Sequence, residues 1–157
     1  MLRRLTCAMM LGAVALTGCT TGREPAATPT DAASRAHNLW QGRTAHVGDN
    51  SKVVALTADA GFGSMGTHTL ALHTAATPYA VTVAYRELDK PFDTVDFTTP
   101  ATLLLGTIAN LDRVEVTSGT DRFALTSAEA SATLGFDVKE LGRDEAKLTA
   151  YFRSLND

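Results

Sequence analysis

Apolar residues recur at two periods along this chain, and the switches between them mark its elements. Val53, Leu56 and Ala60 share a face at helical spacing. They follow the cap-competent Gly48-Asp49-Asn50 and precede Gly61, which predicts a helix over Ser51 to Ala60. The period then falls to two. Leu70 and Leu72, then Val81, Val83 and Tyr85, alternate with polar residues, and Ala75-Ala76-Thr77-Pro78 separates the two runs. This spacing predicts a hairpin of strands over Thr67 to His73 and Tyr79 to Arg86. An acidic, loop-like stretch, Glu87 to Thr98, leads into a second helix with Thr99 at its cap and Pro100 at its first position. Leu104, Ile108 and Leu111 form its stripe, widened by Leu103 and Leu105.

Further on, Val114/Val116 and Phe123/Leu125 flank Ser118-Gly119-Thr120-Asp121, a turn by composition, and predict a second pair of strands. Thr126-Ser127-Ala128-Glu129 reads as a capping box opening a short helix that stops at Gly135. A last helix over about Arg143 to Leu155 turns Leu148, Tyr151, Phe152 and Leu155 inward. The order α-β-β-α-β-β-α-α predicts an α+β domain, a small antiparallel sheet with helices packed on it.

The N-terminus follows a different logic. Arg3 and Arg4 precede a mostly apolar run of 12 residues, Leu5 to Leu16, and Thr17-Gly18-Cys19 offers small residues to a peptidase. That run falls short of the ~20 apolar residues a spanning helix needs. Leu16-Thr17-Gly18-Cys19 resembles the lipobox of bacterial lipoproteins. The resemblance implies cleavage between Gly18 and Cys19, a diacylglycerol thioether on Cys19 and usually an acylated new amine. Two or more acyl chains give stable attachment, so membrane lipid is the expected partner of Cys19. Thr20 to Arg35 contains Thr, Ala, Pro, Gly, Ser and scattered charge with no large apolar residue, which predicts a flexible tether. The expected division is therefore a leader over 1–18, a lipidated cysteine and tether over 19–35, and one extracytoplasmic domain over 36–157.

Composition excludes several chemistries. Cys7 leaves with the leader, so Cys19 is the only mature cysteine and neither an internal disulfide nor a thiolate ligand set is available. Loss of Arg3 and Arg4 takes the net charge from −3 to −5, and no Lys/Arg cluster suits nucleic acid. Gly61-Phe62-Gly63-Ser64-Met65-Gly66 matches G-x-G-x-x-G in letters only, because a helix precedes it and a strand follows, the reverse of a dinucleotide site. His37, His46, His68 and His73 lack metal-ligand spacing; His68 and His73, five apart on one strand, point to opposite faces. No catalytic residue, metal site or cofactor is assigned. Glu87, Asp89, Asp93 and Asp96 form the densest carboxylate stretch and read as a solvated loop. Phe92, Val95 and Phe97 stand among those charges and form a candidate interaction loop, a binding edge if exposed.

Residues Trp40 to Tyr151 resemble the bacterial domain of unknown function 4825, through Val47-Gly48-Asp49-Asn50-Ser51-Lys52-Val53, Tyr79-Ala80-Val81-Thr82-Val83-Ala84-Tyr85 and Leu104 to Val116. Members of that family occur as exported lipoproteins, and some are fused behind membrane-embedded peptidases similar to β-lactam sensor proteins. The resemblance carries over no catalytic residues and implies sensing or binding outside the cytoplasm. The expected function is that of a lipid-anchored, non-enzymatic binding or interaction module of the cell envelope, with an envelope protein or polymer as partner. An envelope hydrolase and a structural accessory subunit are the alternatives.

Overall fold

The computed structural model describes residues 29–156, so Gly18 and Cys19, the expected cleavage and lipidation sites, lie outside the described residues. The first element among the described residues is a helix that the large apolar residues do not announce: α1 spans Pro29–Gly42. Ala32, Ala36 and Leu39, spaced four and then three apart, are buried along one side of it. Residues 29–35, expected as the end of the tether, are thus helical and part of α1. A scan for large side chains overlooks this face, because an alanine methyl suffices where a helix sits close to its neighbours.

α2 (Asn50–Ala60) buries Val53, Leu56 and Ala60 as their spacing predicts, and Gly61 stops it in the left-handed conformation. Asp49, one of the cap-competent residues before it, makes no side-chain cap and instead accepts the hydroxyl hydrogen of Thr44. β1 (Gly66–His73) and β2 (Ala80–Leu88) form the antiparallel hairpin. At Gly66, φ is +142°, and an added Cβ would run into the Glu87 carbonyl oxygen, so only glycine serves there.

From β2 the chain enters α3 (Thr98–Thr107), then β3 (Arg113–Ser118) and β4 (Asp121–Thr126), whose antiparallel pair completes a sheet of order β1-β2-β3-β4. The central pair, β2 and β3, is parallel, which corrects the expected all-antiparallel sheet. The reason is the crossover. α3 carries the chain from the end of β2 back to its beginning, so β3 must run the same way. Val81, Val83, Tyr85, Val114 and Val116 cover the inner face, while Thr69, Ala84 and Thr117 lie side by side on the uncovered one.

Every residue from Pro100 to Ile108 is buried, because α3 is apolar on nearly all sides and is enclosed by the sheet, by α2 and by the segment after α4 (Ser127–Leu134). Its cap is Asp96 rather than Thr99: the carboxylate accepts from the amides of Thr98 (2.9 Å) and Thr99 (3.3 Å) at a helix end that favours negative charge. α4 opens with the expected capping box, in which the Thr126 hydroxyl and amide hold the Glu129 carboxyl below its usual range. A 3-10 turn, Val138–Gly142, and α5 (Glu145–Ser154) close the chain. Leu148 and Phe152 of α5 are buried, Tyr151 is half-buried, and Leu155, expected inward, is exposed.

Gly106 of α3 and Gly142 pack backbone to backbone, and a Cβ on Gly142 would collide with the Gly106 carbonyl oxygen. Gly142→Ala is expected to cost about 1–3 kcal/mol through forced separation of the two segments. Urea unfolding checks this, and an unchanged midpoint would show that the contact yields freely.

Candidate functional site

Local structure around 89–96 explains why a cleft forms there. The Asp89 amide donates to the Met65 carbonyl (3.0 Å), tying the loop to the segment after α2. The Thr94 amide and hydroxyl both donate to the Pro91 carbonyl, at 3.0 and 2.7 Å, turning the chain sharply at Phe92–Thr94. Asp96 then anchors the far end on α3. Between these ties lies a cleft of about 430 Å³ whose apolar wall includes Met65, Val95 and Pro100. Arg35, Lys90, Asp89 and Asp96 bring both signs of charge to the same space. Arg35 is placed by packing its guanidinium over the Phe152 ring, 4.8 Å from its centre. A concave site with an apolar wall and a few convergent polar groups has the ordinary form of a ligand pocket.

The three apolar residues expected to form a binding edge separate in the structure. Phe97 is buried, only 3% exposed, inside an aromatic cluster with Phe92 (ring centres 4.8 Å apart), Phe123 (5.8 Å) and Tyr85 (6.2 Å). Phe92 is half-buried in that cluster, so it and Phe97 anchor the loop instead of presenting it. Val95, also half-buried, is the one of the three that lines the cleft. Of the four carboxylates, Asp89 and Asp96 line it, and Glu87 and Asp93 do not. Tyr85 donates its hydroxyl to the Phe62 carbonyl (2.8 Å), and burial, then the nearby Asp89 charge, pushes its pKa up to about 12.

The histidines disperse. His68 packs on the Tyr85 ring at 5.3 Å, His73 Nε2 lies 2.9 Å from the Thr82 hydroxyl, and His37 Nδ1 lies 2.9 Å from Glu145 Oε1. Among the described residues no three His, Cys, Asp or Glu side chains are grouped to hold a metal ion, and no helix is long and apolar enough to cross a membrane. Gly61 to Gly66 forms a helix stop and a 3-10 turn ahead of β1, with no helix start to receive a pyrophosphate. Arg35 and Lys90 are the charged members of the cleft that the sequence reading missed. Pro29 followed by Ala32, Ala36 and Leu39 at helical spacing was the available signal for Arg35.

A small α+β domain with helices on one face of a four-stranded mixed sheet, and a mixed-charge cleft at one end of its buried helix, defines the class. Residues 39–131 match the family described as Domain of unknown function (DUF4825), and the chain belongs to that family. The matched segment runs from α1 into α4 and includes every cleft residue except Arg35. No curated protein and no solved structure matches the chain.

Proposed function

We propose that the chain is an exported lipoprotein, anchored to a bacterial membrane through Cys19, whose domain acts as a non-enzymatic binding module of the cell envelope. The observation that carries this reading is the convergence of Arg35, Lys90, Asp89 and Asp96 on one cleft with an apolar wall. Charges of both signs beside apolar surface suit a peptide segment of an envelope protein, whose side chains and backbone supply complementary groups. The short leader and the lipobox-like tetrapeptide ending at Cys19 support the anchor.

The test places a photocrosslinking amino acid at Thr94, on the cleft, in the full chain expressed in intact cells. A discrete protein adduct is expected, reduced several-fold both by Lys90→Glu and by Cys19→Ala. Diffuse labelling that neither variant changes would overturn the reading. Fractionation of the same cells checks the anchor, since Cys19→Ala should move the protein out of the membrane fraction.

A further inference from the structure

A second cleft opens at the other end of α3. Thr99 and Pro100, at the start of the helix, line the first cleft; Gly106 and Thr107, at its end, line the second, of about 380 Å³. Three cations surround this second space, Arg43, Lys139 and Arg143, and among the described residues no carboxylate lines it. In a chain of net charge −3, such a grouping is a local inversion of sign.

Each cation is held in place. Arg43 lays its guanidinium over the Trp40 ring, 3.8 Å from the centre, and donates through Nη1 to the Trp40 carbonyl. Arg143 donates through Nη1 to Asp137 Oδ2 at 3.1 Å. Both arginines are exposed and keep their remaining N–H donors. Lys139 differs, since its Nζ donates to the carbonyls of Leu105 (2.7 Å), Ile108 (3.1 Å) and Leu111, which engages all three of its hydrogens. It therefore brings charge to the cleft without donors to spare. The acids nearby are each hydrogen-bonded: Asp137 accepts from Arg143 and so offsets part of its charge, Asp112, whose charge reaches Lys139, accepts from the Tyr79 amide, and Asp49 accepts from the Thr44 hydroxyl.

We propose that this cleft binds a phosphate-type oxyanion, with Arg43 and Arg143 donating to its oxygens and Lys139 supplying charge from the floor. Paired guanidinium forks suit a tetrahedral anion with several acceptor oxygens, and an anion between three cations relieves their mutual repulsion. The volume exceeds that needed for the anion alone, so a phosphoester fits, whether a soluble one or the headgroup of an anionic lipid. This site shares no residue with the first cleft and stands independently of the function proposed for it.

The test titrates inorganic phosphate into the full chain and follows the backbone amide resonances of Arg43, Gly142 and Arg143, with sodium chloride at matched ionic strength as reference. Saturable shifts are expected, with affinity weakened about tenfold or more in Arg43→Gln/Arg143→Gln and unchanged in Arg122→Gln, which removes a positive charge from β4. Shifts that sodium chloride reproduces, or that Arg122→Gln weakens equally, would overturn the proposal. Each single arginine variant is also titrated, so that a folding defect in the double variant does not decide the outcome. Sedimentation with phosphatidylglycerol vesicles in excess of phosphatidylcholine vesicles, lost in the double variant, would identify a lipid headgroup as the source. Phosphate binding with equal sedimentation on both vesicles would identify a soluble phosphoester.

Discussion

Lys139→Met is expected to destabilise the domain by about 2–4 kcal/mol at neutral pH, because it removes the ammonium donor from the Leu105 carbonyl at the end of a buried helix and leaves those of Ile108 and Leu111 with only the Leu111 amide and the Ser127 hydroxyl. Methionine keeps much of the aliphatic stem, so the loss reports the ammonium group rather than packing. The variant should also alter the pH dependence of stability. Burial pushes the Lys139 amine down to about 8, against the opposing pull of Asp112 and Asp137, while the unfolded chain keeps its ordinary value near 10.5. Between pH 8 and 10.5 the unfolded state therefore holds a proton that the folded state has released. Stability contributed by this group rises with pH across that window and is flat below it. Tyr85 acts in the opposite sense: its pKa is raised to about 12, so its contribution falls as pH climbs from 10 to 12. Urea melts at pH 7, 8 and 9.5 separate the two groups. The rise between pH 8 and 9.5 should be present in the native chain and absent in Lys139→Met. An equal rise in both would show that Lys139 is not its source.

Phe97→Ala is expected to cost about 3–5 kcal/mol, the range for emptying a buried aromatic site. Phe97 sits between Phe92, Phe123 and Tyr85 and so joins the cleft loop to both β2 and β4. Its neighbour Asp96 caps α3, which links loop order to the start of the buried helix. Hydrogen exchange at Thr94 and Val95 should accelerate more than exchange in β3. A uniform acceleration throughout the domain would mean that Phe97 stabilises the fold without holding the cleft in shape.

Much of the architecture was legible because local signals agreed with tertiary demand. Gly61 and Gly135 end helices where the apolar stripe ends, and the Thr126/Glu129 capping box sits where β4 turns into α4. Val81, Val83, Val114 and Val116 alternate because only one face of their sheet is covered. α1 was hidden because its buried face uses Ala32 and Ala36, residues that a search for large apolar side chains passes over. The candidate site was half legible. Asp89, Lys90, Val95 and Asp96 all lie within the Glu87–Thr98 loop, whereas Arg35, on α1, joins them only after folding.

By itself the amino-acid sequence determined the order of the elements after α1 and the family, along with the expectation of a lipid anchor at Cys19. These rest on short-range patterns that a linear reading captures: periodicity, caps, and a leader with its tetrapeptide. Tertiary structure alone decided that β2 and β3 run parallel, that Phe97 is buried instead of exposed, and that Arg43, Lys139 and Arg143 meet around one space. Each of those outcomes depends on α3. As a helix apolar on nearly every side, it draws the sheet, the loop before it and the segments after it around itself, and residues about a hundred positions apart become neighbours.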